Sequence, residues 1–386
     1  MLFLVAAIGC AAWIYLVGFH GGFWMTSRFS NLAAPAAEQS RPDIVAVIPA
    51  RDEAESIGDC IRSLLSQPYA GNLSIILVDD QSSDGTAALA SAAAAEIGAA
   101  DRLTVISGRT PPAGWTGKLW ALKQGLSRIE ERDTAPTYVL LTDADIVYSG
   151  DVLPRLVARA ESGNLAMASI MARLRCESFA ERFLIPAFIF FFQMLYPFSW
   201  VARDDRATAA AAGGCLLARW TALYEAGGID AIRGSLIDDC AMGALLKSRG
   251  PVWLGFSPDV NSVRVSKTFD DVGSMISRSA YAQLQYSPLL LVGTILAMTV
   301  VYLAPVYLTL TGSGDIRWLA LASWALMAVA FQPTLRYYRR SPLWGLALPL
   351  IALAYLMYTI NSAYQFYRGR GGMWKGRAQA NLSGFR

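Results

Sequence analysis

Three short acidic groups are the residues best suited to chemistry: Asp79-Asp80, Asp143-Ala144-Asp145 and Asp238-Asp239. Side chains at i and i+2 of an extended segment share one face. Asp143 and Asp145 are therefore expected to point together and to hold a hard divalent cation, Mg2+ or Mn2+. Such ions take oxygen ligands and often complete their shell with substrate phosphates. Two carboxylates at Asp79-Asp80 can hydrogen-bond a nucleoside base and ribose. The single histidine, His20, lies beside the first apolar segment. A general base must then be a carboxylate, and Asp238-Asp239 is the natural source of one. Lys118, in Gly114-Trp115-Thr116-Gly117-Lys118, can contact a diphosphate, and Gly213-Gly214 can let backbone approach a donor or acceptor. Each group also has a plainer reading: a strand-ending turn, a helix cap with its dipole complement, a Gly-rich surface loop.

Position separates the two readings. A β-branched run at 44–48 leads into Pro49-Ala50-Arg51-Asp52-Glu53, and Ile57, Ile61, Leu64 and Leu65 then recur at helical spacing. The apolar run 73–78 ends at Asp79-Asp80, and Ser82-Ser83-Asp84-Gly85-Thr86 reads as a turn with helix-capping chemistry. An Ala-rich helix over 86–96, strands over 103–106 and 138–141, and a helix over 118–129 follow. Asp143-Ala144-Asp145 comes directly after the last of these strands, and 241–247 reads as a helix behind Asp238-Asp239. Strands alternating with helices predict a mostly parallel α/β sheet, whose ligand crevice lies outside the carboxyl ends of the strands. The first two acidic groups sit there.

Composition narrows the classes. The chain is 54% hydrophobic and 16% charged, above the apolar share of about 45–50% usual for soluble domains. The excess lies at the two ends, while 41–285 reads as an ordinary globular domain. A net charge of +3, without a basic stripe interleaved with aromatics, argues against nucleic acid as a partner. Neither GxGxxG after the first strand nor GxxxxGK[ST] occurs, which argues against dinucleotide and P-loop sites. Cys10, Cys60, Cys176, Cys215 and Cys240 form no CxxC pair and are odd in number, as expected of reduced thiols rather than a disulfide framework.

Residues 1–27 read as a signal anchor, since no basic residue precedes the apolar run. The Lys/Arg bias places residue 28 onward in the cytosol. At the far end 289–310, 318–335 and 343–364 each approach the roughly 20 residues that span a bilayer. The basic tail 368–386 is expected to be cytosolic too, which leaves an odd crossing. The segment with Pro288 and Pro305 is read as the weakest straight span. The apolar stretch 183–202 also looks like a span. A crossing there would put Asp143 and Asp145 on the opposite side from Asp239, so it is read as an interfacial helix. The expected organisation is an anchor at 1–27, a catalytic domain at 41–285, membrane segments at 286–367 and a tail at 368–386.

Taken in order, these motifs resemble glycosyltransferase family 2, whose fold is GT-A. The likeness rests on Ile48-Pro49-Ala50-Arg51-Asp52-Glu53, Val78-Asp79-Asp80-Gln81-Ser82-Ser83-Asp84-Gly85-Thr86, Gly117-Lys118, Thr142-Asp143-Ala144-Asp145 and Asp238-Asp239. The finer pattern is similar to the bacterial hopene-associated glycosyltransferases, through Gly114-Trp115-Thr116-Gly117-Lys118, Asp238-Asp239-Cys240, Arg278-Ser279-Ala280-Tyr281 and Gln283-Leu284-Gln285-Tyr286-Ser287. Gly372-Met373-Trp374-Lys375-Gly376-Arg377 resembles the tail of lipid-directed members. Members that make long polysaccharides carry QxxRW before their C-terminal spans. Here the Gln is kept and Tyr286 and Ser287 replace Arg and Trp, leaving Arg278 as the candidate for the missing cation.

The resemblance implies a GT-A-like α/β fold with a mostly parallel nucleotide-binding sheet, flanking helices, and transmembrane helices at both ends. It implies that Ala50 and Glu53 border the nucleotide, that Asp80 meets the base, that Asp143 and Asp145 hold diphosphate and metal, and that Asp239 is the base. Arg278, Gln283 and Tyr286, with Gly213 and Gly214, are expected on the acceptor and donor side. The expected activity is inverting, metal-dependent transfer from a nucleotide-sugar, a UDP-sugar, to a lipid hydroxyl, with a hopanoid among the acceptors. The expected location is the bacterial inner membrane, with the catalytic domain facing the cytoplasm. The alternatives are a membrane polysaccharide synthase and a non-catalytic scaffold with a degenerate transferase fold.

Overall fold

The computed structural model describes residues 1–30, 32 and 41–372, and the chain divides into two units. One comprises Phe29–Arg175 and Trp200–Val265, the other Met1–Arg28, Cys176–Ser199 and Ser266–Arg386.

The first unit is built on a sheet of strands β1 (Ile44–Ala50), β2 (Leu73–Asp79), β3 (Leu103–Ser107), β4 (Tyr138–Leu141), β5 (Ile146–Tyr148), β6 (Met167–Arg173), β7 (Leu216–Arg219) and β8 (Val252–Ser262), in the order β3-β2-β1-β4-β7-β6-β8-β5. All seven residues of β1 are buried, as in a parallel strand covered on both faces. Gly125 lets the helix Gly117–Glu130 lie close on it, because a Cβ there would stand 2.4 Å from Val47 Cγ1. Strands β3, β2, β1 and β4 are mutually parallel. β7 runs antiparallel to both β4 and β6, β8 is parallel to β6, and β5 is antiparallel to β8. It follows that β6 and β8 run in the direction of β4. The carboxyl ends of β1, β2, β4 and β8 therefore share one edge with the amino end of β7. The expected α/β class and mostly parallel sheet are present. The antiparallel β7 and the strands after Asp145 are additions to the sequence reading.

The other unit is helical. Phe179–Val201, Pro288–Thr311, Gly314–Tyr337 and Pro342–Tyr367 are each long and apolar enough to cross a membrane, and Leu2–Gly18 is a shorter apolar helix. Phe179–Val201 has 61% of its apolar window buried, against 11% for Pro288–Thr311. Phe190 packs against Phe23 and Phe331, and Phe191 against Tyr302 and Tyr355. Gln193 accepts from Thr26 Oγ1 at 3.4 Å, and Thr26 meets Thr334 Oγ1 at 3.3 Å. Much of the apolar surface of Phe179–Val201 is thus buried within the protein.

The prolines of Pro288–Thr311 are accommodated in the helical path, with a π-helical turn before Pro305. Pro288 occupies the first turn, where its missing N–H costs nothing. Pro305 leaves the carbonyl four residues back without its helical donor. A π-helical turn, Thr299–Leu303, precedes it, and Trp13 Nε1 donates to Val301 O at 2.9 Å. The helical path continues without a break. Thr294, Thr299, Thr309 and Thr311 each donate to the carbonyl four residues back, at 2.7–2.8 Å, which satisfies their hydroxyls within the helix itself.

The division of the chain also differs from a single 41–285 domain. Buried Glu181 caps its helix and accepts from Ser178 N at 2.8 Å and Ser266 N at 2.9 Å, tying 176–199 to the residues after 265. Phe269–Gln283 lies against Leu348–Tyr367, with Gly273 leaving room for Tyr358. Of the tail 368–386, residues 373–386, including most of its basic residues and the Met373-Trp374 motif, lie outside the described residues.

Candidate active site

Lys118 is the hub of the first ionic group. It is the second residue of Gly117–Glu130, whose start is capped by Thr116 Oγ1 accepting from Leu119 N at 3.4 Å. Its ammonium lies 2.8 Å from Asp143 Oδ1 and 3.0 Å from Asp238 Oδ2. Burial works against the charged lysine. Asp143, Asp238 and Asp239 outweigh it and hold the ammonium protonated well above its ordinary range. Asp238 and Asp239 begin the helix Asp238–Lys247, where carboxylates complement the dipole, and Asp239 Oδ1 accepts from Cys240 N at 2.8 Å. The helix-cap reading of this pair is thus true alongside the chemical one. Gly213 closes the group from the amino end of β7. A Cβ there would stand 3.1 Å from Lys118 Nζ and 3.6 Å from Asp239 Cβ. Gly214 O accepts from Thr142 Oγ1 at 2.8 Å, and its Cβ would press into Ile146 at 2.9 Å. Pro49, Thr142, Asp143, Gly213, Asp238 and Asp239 line one small cavity with Lys118.

A second ionic group stands beside Asp145. The residues between β4 and β5 form a turn, with Ile146 N donating to Asp143 O at 3.3 Å. The segment is not extended, so the i, i+2 rule does not apply, and the two aspartates have different cationic partners. Asp145, 6% exposed, accepts from Ser262 Oγ at 2.6 Å and Arg264 Nε at 3.2 Å. Arg264 Nη2 also donates to Glu53 Oε1 at 2.7 Å. Arg264 links a residue expected at the metal to one expected at the nucleotide, and the sequence reading did not single it out. Beneath the turn Cys60 Sγ approaches Asp143 O at 3.7 Å. Burial, with Asp145 next, pushes its thiol far up, which leaves it inert.

The loops after β1 and β2 hold each other. Asp52 and Gln81 have φ of +49° and +60°, the left-handed region that short polar side chains tolerate best. Asp52 N donates to Ser82 Oγ at 2.9 Å, Glu53 N to Thr86 Oγ1 at 2.9 Å and Ala54 N to Asp84 Oδ2 at 2.9 Å, while Ser83 N donates to Asp52 Oδ1 at 2.9 Å. Ser82-Ser83-Asp84-Gly85-Thr86 therefore fixes the backbone that carries Glu53. Asp79 Oδ1 accepts from Ser82 N at 3.1 Å. Asp80 is 1% exposed and lies under Arg51, whose Nη1 donates to Asp80 O at 2.7 Å and stands 3.6 Å from its carboxylate. Asp80 N donates to Ala50 O at 2.7 Å.

Ala50, Glu53, Asp79, Asp80, Lys118, Asp143, Asp145, Gly213, Gly214, Asp238 and Asp239 all lie in the sheet unit. Arg278, Gln283 and Tyr286, expected on the acceptor side, belong to the helical unit. There Gln283 Oε1 accepts from Tyr196 OH at 2.9 Å and Tyr286 stacks on Phe366 with ring centroids 4.5 Å apart. Gln285 and Tyr286 take φ of +51° and +54°, turning the chain between two helices. A hydrogen bond, a ring stack and a turn thus position Gln283 and Tyr286.

A curled, mostly parallel sheet with acids at the carboxyl ends of its strands defines the GT-A class of sugar-transferring enzymes. Residues 42–267, more than half the chain, match the model of glycosyltransferase like family 2, and the protein belongs to that family. Its chain is similar over 98% of its length to a mannosyltransferase from Pyrobaculum calidifontis solved in complex with GDP-Man and Mn2+, covering 100% of that chain at 18% identity and a TM-score of 0.56. It also aligns with glucosyl-3-phosphoglycerate synthase from Mycobacterium tuberculosis, over 63% of this chain and 78% of that one, at 20% identity and a TM-score of 0.39. The first likeness shows a common fold, and the second is too weak to add to it. No curated protein sequence matches the chain.

Proposed function

We propose that this glycosyltransferase moves a hexose from a UDP-sugar to a hydroxyl of a membrane lipid, with inversion and with the help of Mg2+ or Mn2+. The observation that carries the reading is Lys118 held between Asp143 and Asp238 at the edge where strands and two helix N-termini converge. A cation so placed can exchange carboxylate partners for a diphosphate, and helix N-termini favour anions. Among the described residues no group of three or more His, Cys, Asp or Glu side chains is arranged to hold a metal. Asp143 and Asp145 still fit a hard ion that draws its other ligands from the donor's phosphates, the usual way Mg2+ is held. When bound, that ion neutralises charge on the leaving diphosphate. Lys118 adds a fixed positive charge at the same place. Asp239 accepts the proton of the acceptor hydroxyl, whose oxygen then attacks the anomeric carbon in line. Asp238, engaged by Lys118, positions that cation.

Four helices suited to a membrane support a lipid-embedded acceptor, and the sequence resemblance suggests a hopanoid as one such lipid. The sequence resemblance supports a bacterial inner membrane location, and the Lys/Arg bias supports acids facing the cytoplasm. A GDP-sugar is the second donor reading, favoured by the GDP-Man bound to the structurally similar mannosyltransferase. The test is a donor screen with purified protein in lipid vesicles, scoring nucleoside diphosphate release and lipid mass. One added hexose per lipid supports the reading. Long polymer would instead make the protein a polysaccharide synthase, and no release with any donor would make it a scaffold.

A further inference from the structure

We infer that Arg264 couples the nucleotide side of the site to its cation side, an inference that rests on the donor reading above. Three observations carry it. First, Arg264 follows β8, whose carboxyl end shares the sheet edge with those of β1 and β4. Its guanidinium therefore sits where this kind of sheet receives ligands. Second, it spans two otherwise separate carboxylates: Nε bonds Asp145 Oδ2 at 3.2 Å and Nη2 bonds Glu53 Oε1 at 2.7 Å. Both carboxylates are mostly covered, at 8% and 11% exposure, while the arginine side chain is 46% exposed. Third, a guanidinium has five N–H donors in a fork that matches phosphate, and these two bonds leave most of them for an incoming anion.

A divalent cation approaching Asp145 meets a carboxylate already engaged by Arg264. A diphosphate arriving nearby offers the guanidinium better-matched oxygens. As Arg264 turns to phosphate, Asp145 is released to the cation. Each ligand thus prepares the site for the other, and the two bind with a positive coupling that is equal in both directions. In this scheme Arg264 binds the donor's diphosphate and, by releasing Asp145, sets the order of assembly.

The experiment measures Mn2+ binding alone by electron paramagnetic resonance, UDP and GDP binding alone by calorimetry, and each again with the other present. Full-length protein in detergent is used for wild type, Arg264→Gln and Arg264→Lys. Arg264→Gln should bind Mn2+ alone more tightly, by roughly threefold to tenfold, and the nucleotide alone more weakly by a similar factor. The coupling between them should shrink toward unity. Arg264→Lys keeps the charge but loses the fork, so Mn2+ affinity should stay near wild type while nucleotide affinity falls. A merely structural arginine would weaken both ligands together, and that result, or no change in either, overturns the inference while leaving the donor reading intact. Wild-type protein that binds neither nucleotide overturns the donor reading itself, and the inference with it.

Discussion

The two units answer the same problem, a polar group away from water, in different ways. In the sheet unit buried or half-buried charges meet opposite charges: Lys118 with Asp143 and Asp238, Arg264 with Asp145 and Glu53, Arg51 with Asp80. In the helical unit several buried polar groups meet neutral ones. Trp13 donates to the Val301 carbonyl, Tyr355 OH to Leu184 O, and Gln193, Thr26 and Thr334 share hydroxyl contacts. Glu181, buried there, is met by backbone N–H groups. Ion pairs at a sheet edge can trade partners when a charged ligand arrives. Neutral bonds inside a helical bundle have nothing to trade and serve only to hold the helices. Changes in the first unit should therefore alter chemistry more than folding, and changes in the second the reverse.

The largest expected effect is that of Asp239→Asn. Removing a general base should lower transfer by roughly a hundredfold to ten-thousandfold, with nucleotide affinity unchanged by calorimetry. Intact turnover of radiolabelled donor would remove Asp239 from the mechanism. Next is Asp143→Ala, which takes one of two carboxylates from Lys118. Losing the contact proposed between Asp143 and the bound ion, about 1.5–3 kcal/mol for a charge-assisted contact, should weaken Mn2+-dependent nucleotide binding about tenfold or more, while the thermal midpoint stays close to wild type. A large fall in the midpoint would show that the ion pair holds the fold and blur the contrast between the units.

Trp13→Phe tests the other side. It strands the Val301 carbonyl at a cost of about 1–3 kcal/mol, visible as a lower unfolding midpoint in detergent, with turnover per folded molecule unchanged. The smallest effect belongs to Gln193→Leu. The replacement is apolar and similar in volume, and Thr26 and Thr334 still meet at 3.3 Å. The midpoint should move by no more than about 1 kcal/mol in stability. A larger loss would mean that Gln193 organises the bundle.

The first half of the sheet was legible because its strands are short apolar runs ended by acids and turns. The expected strands 44–48, 73–78, 103–106 and 138–141 lie within β1 to β4, and the expected helix 118–129 within Gly117–Glu130. The second half was not. β6 reads Met-Ala-Ser-Ile-Met-Ala-Arg, rich in residues that favour helices. β7 is four residues long and runs straight into a helix. β8 contains Pro258, Asp259 and Asn261, all disfavoured in strands. They fit because the pairing with β6 shifts register between Met171 and Arg173. Missing β8 meant missing Arg264 just beyond it. The alternation invoked for Asp143 and Asp145 does not apply, for a related reason. Alternation requires extended chain, and the hydrogen bond from Ile146 N to Asp143 O makes these residues a turn.

The bond from Trp13 to Val301 also bears on how the chain is made. Its ends are 288 residues apart, and Gly9 lies against the same turn, where a Cβ would stand 3.2 Å from Val300 O. At about 5–20 residues per second of synthesis, the first helix waits roughly a quarter of a minute to a minute before its seat exists. Throughout that interval the indole must find another acceptor. Leu2–Gly18 can take this seat only after Val301 has been made, by which time the sheet carrying the acids has been synthesised.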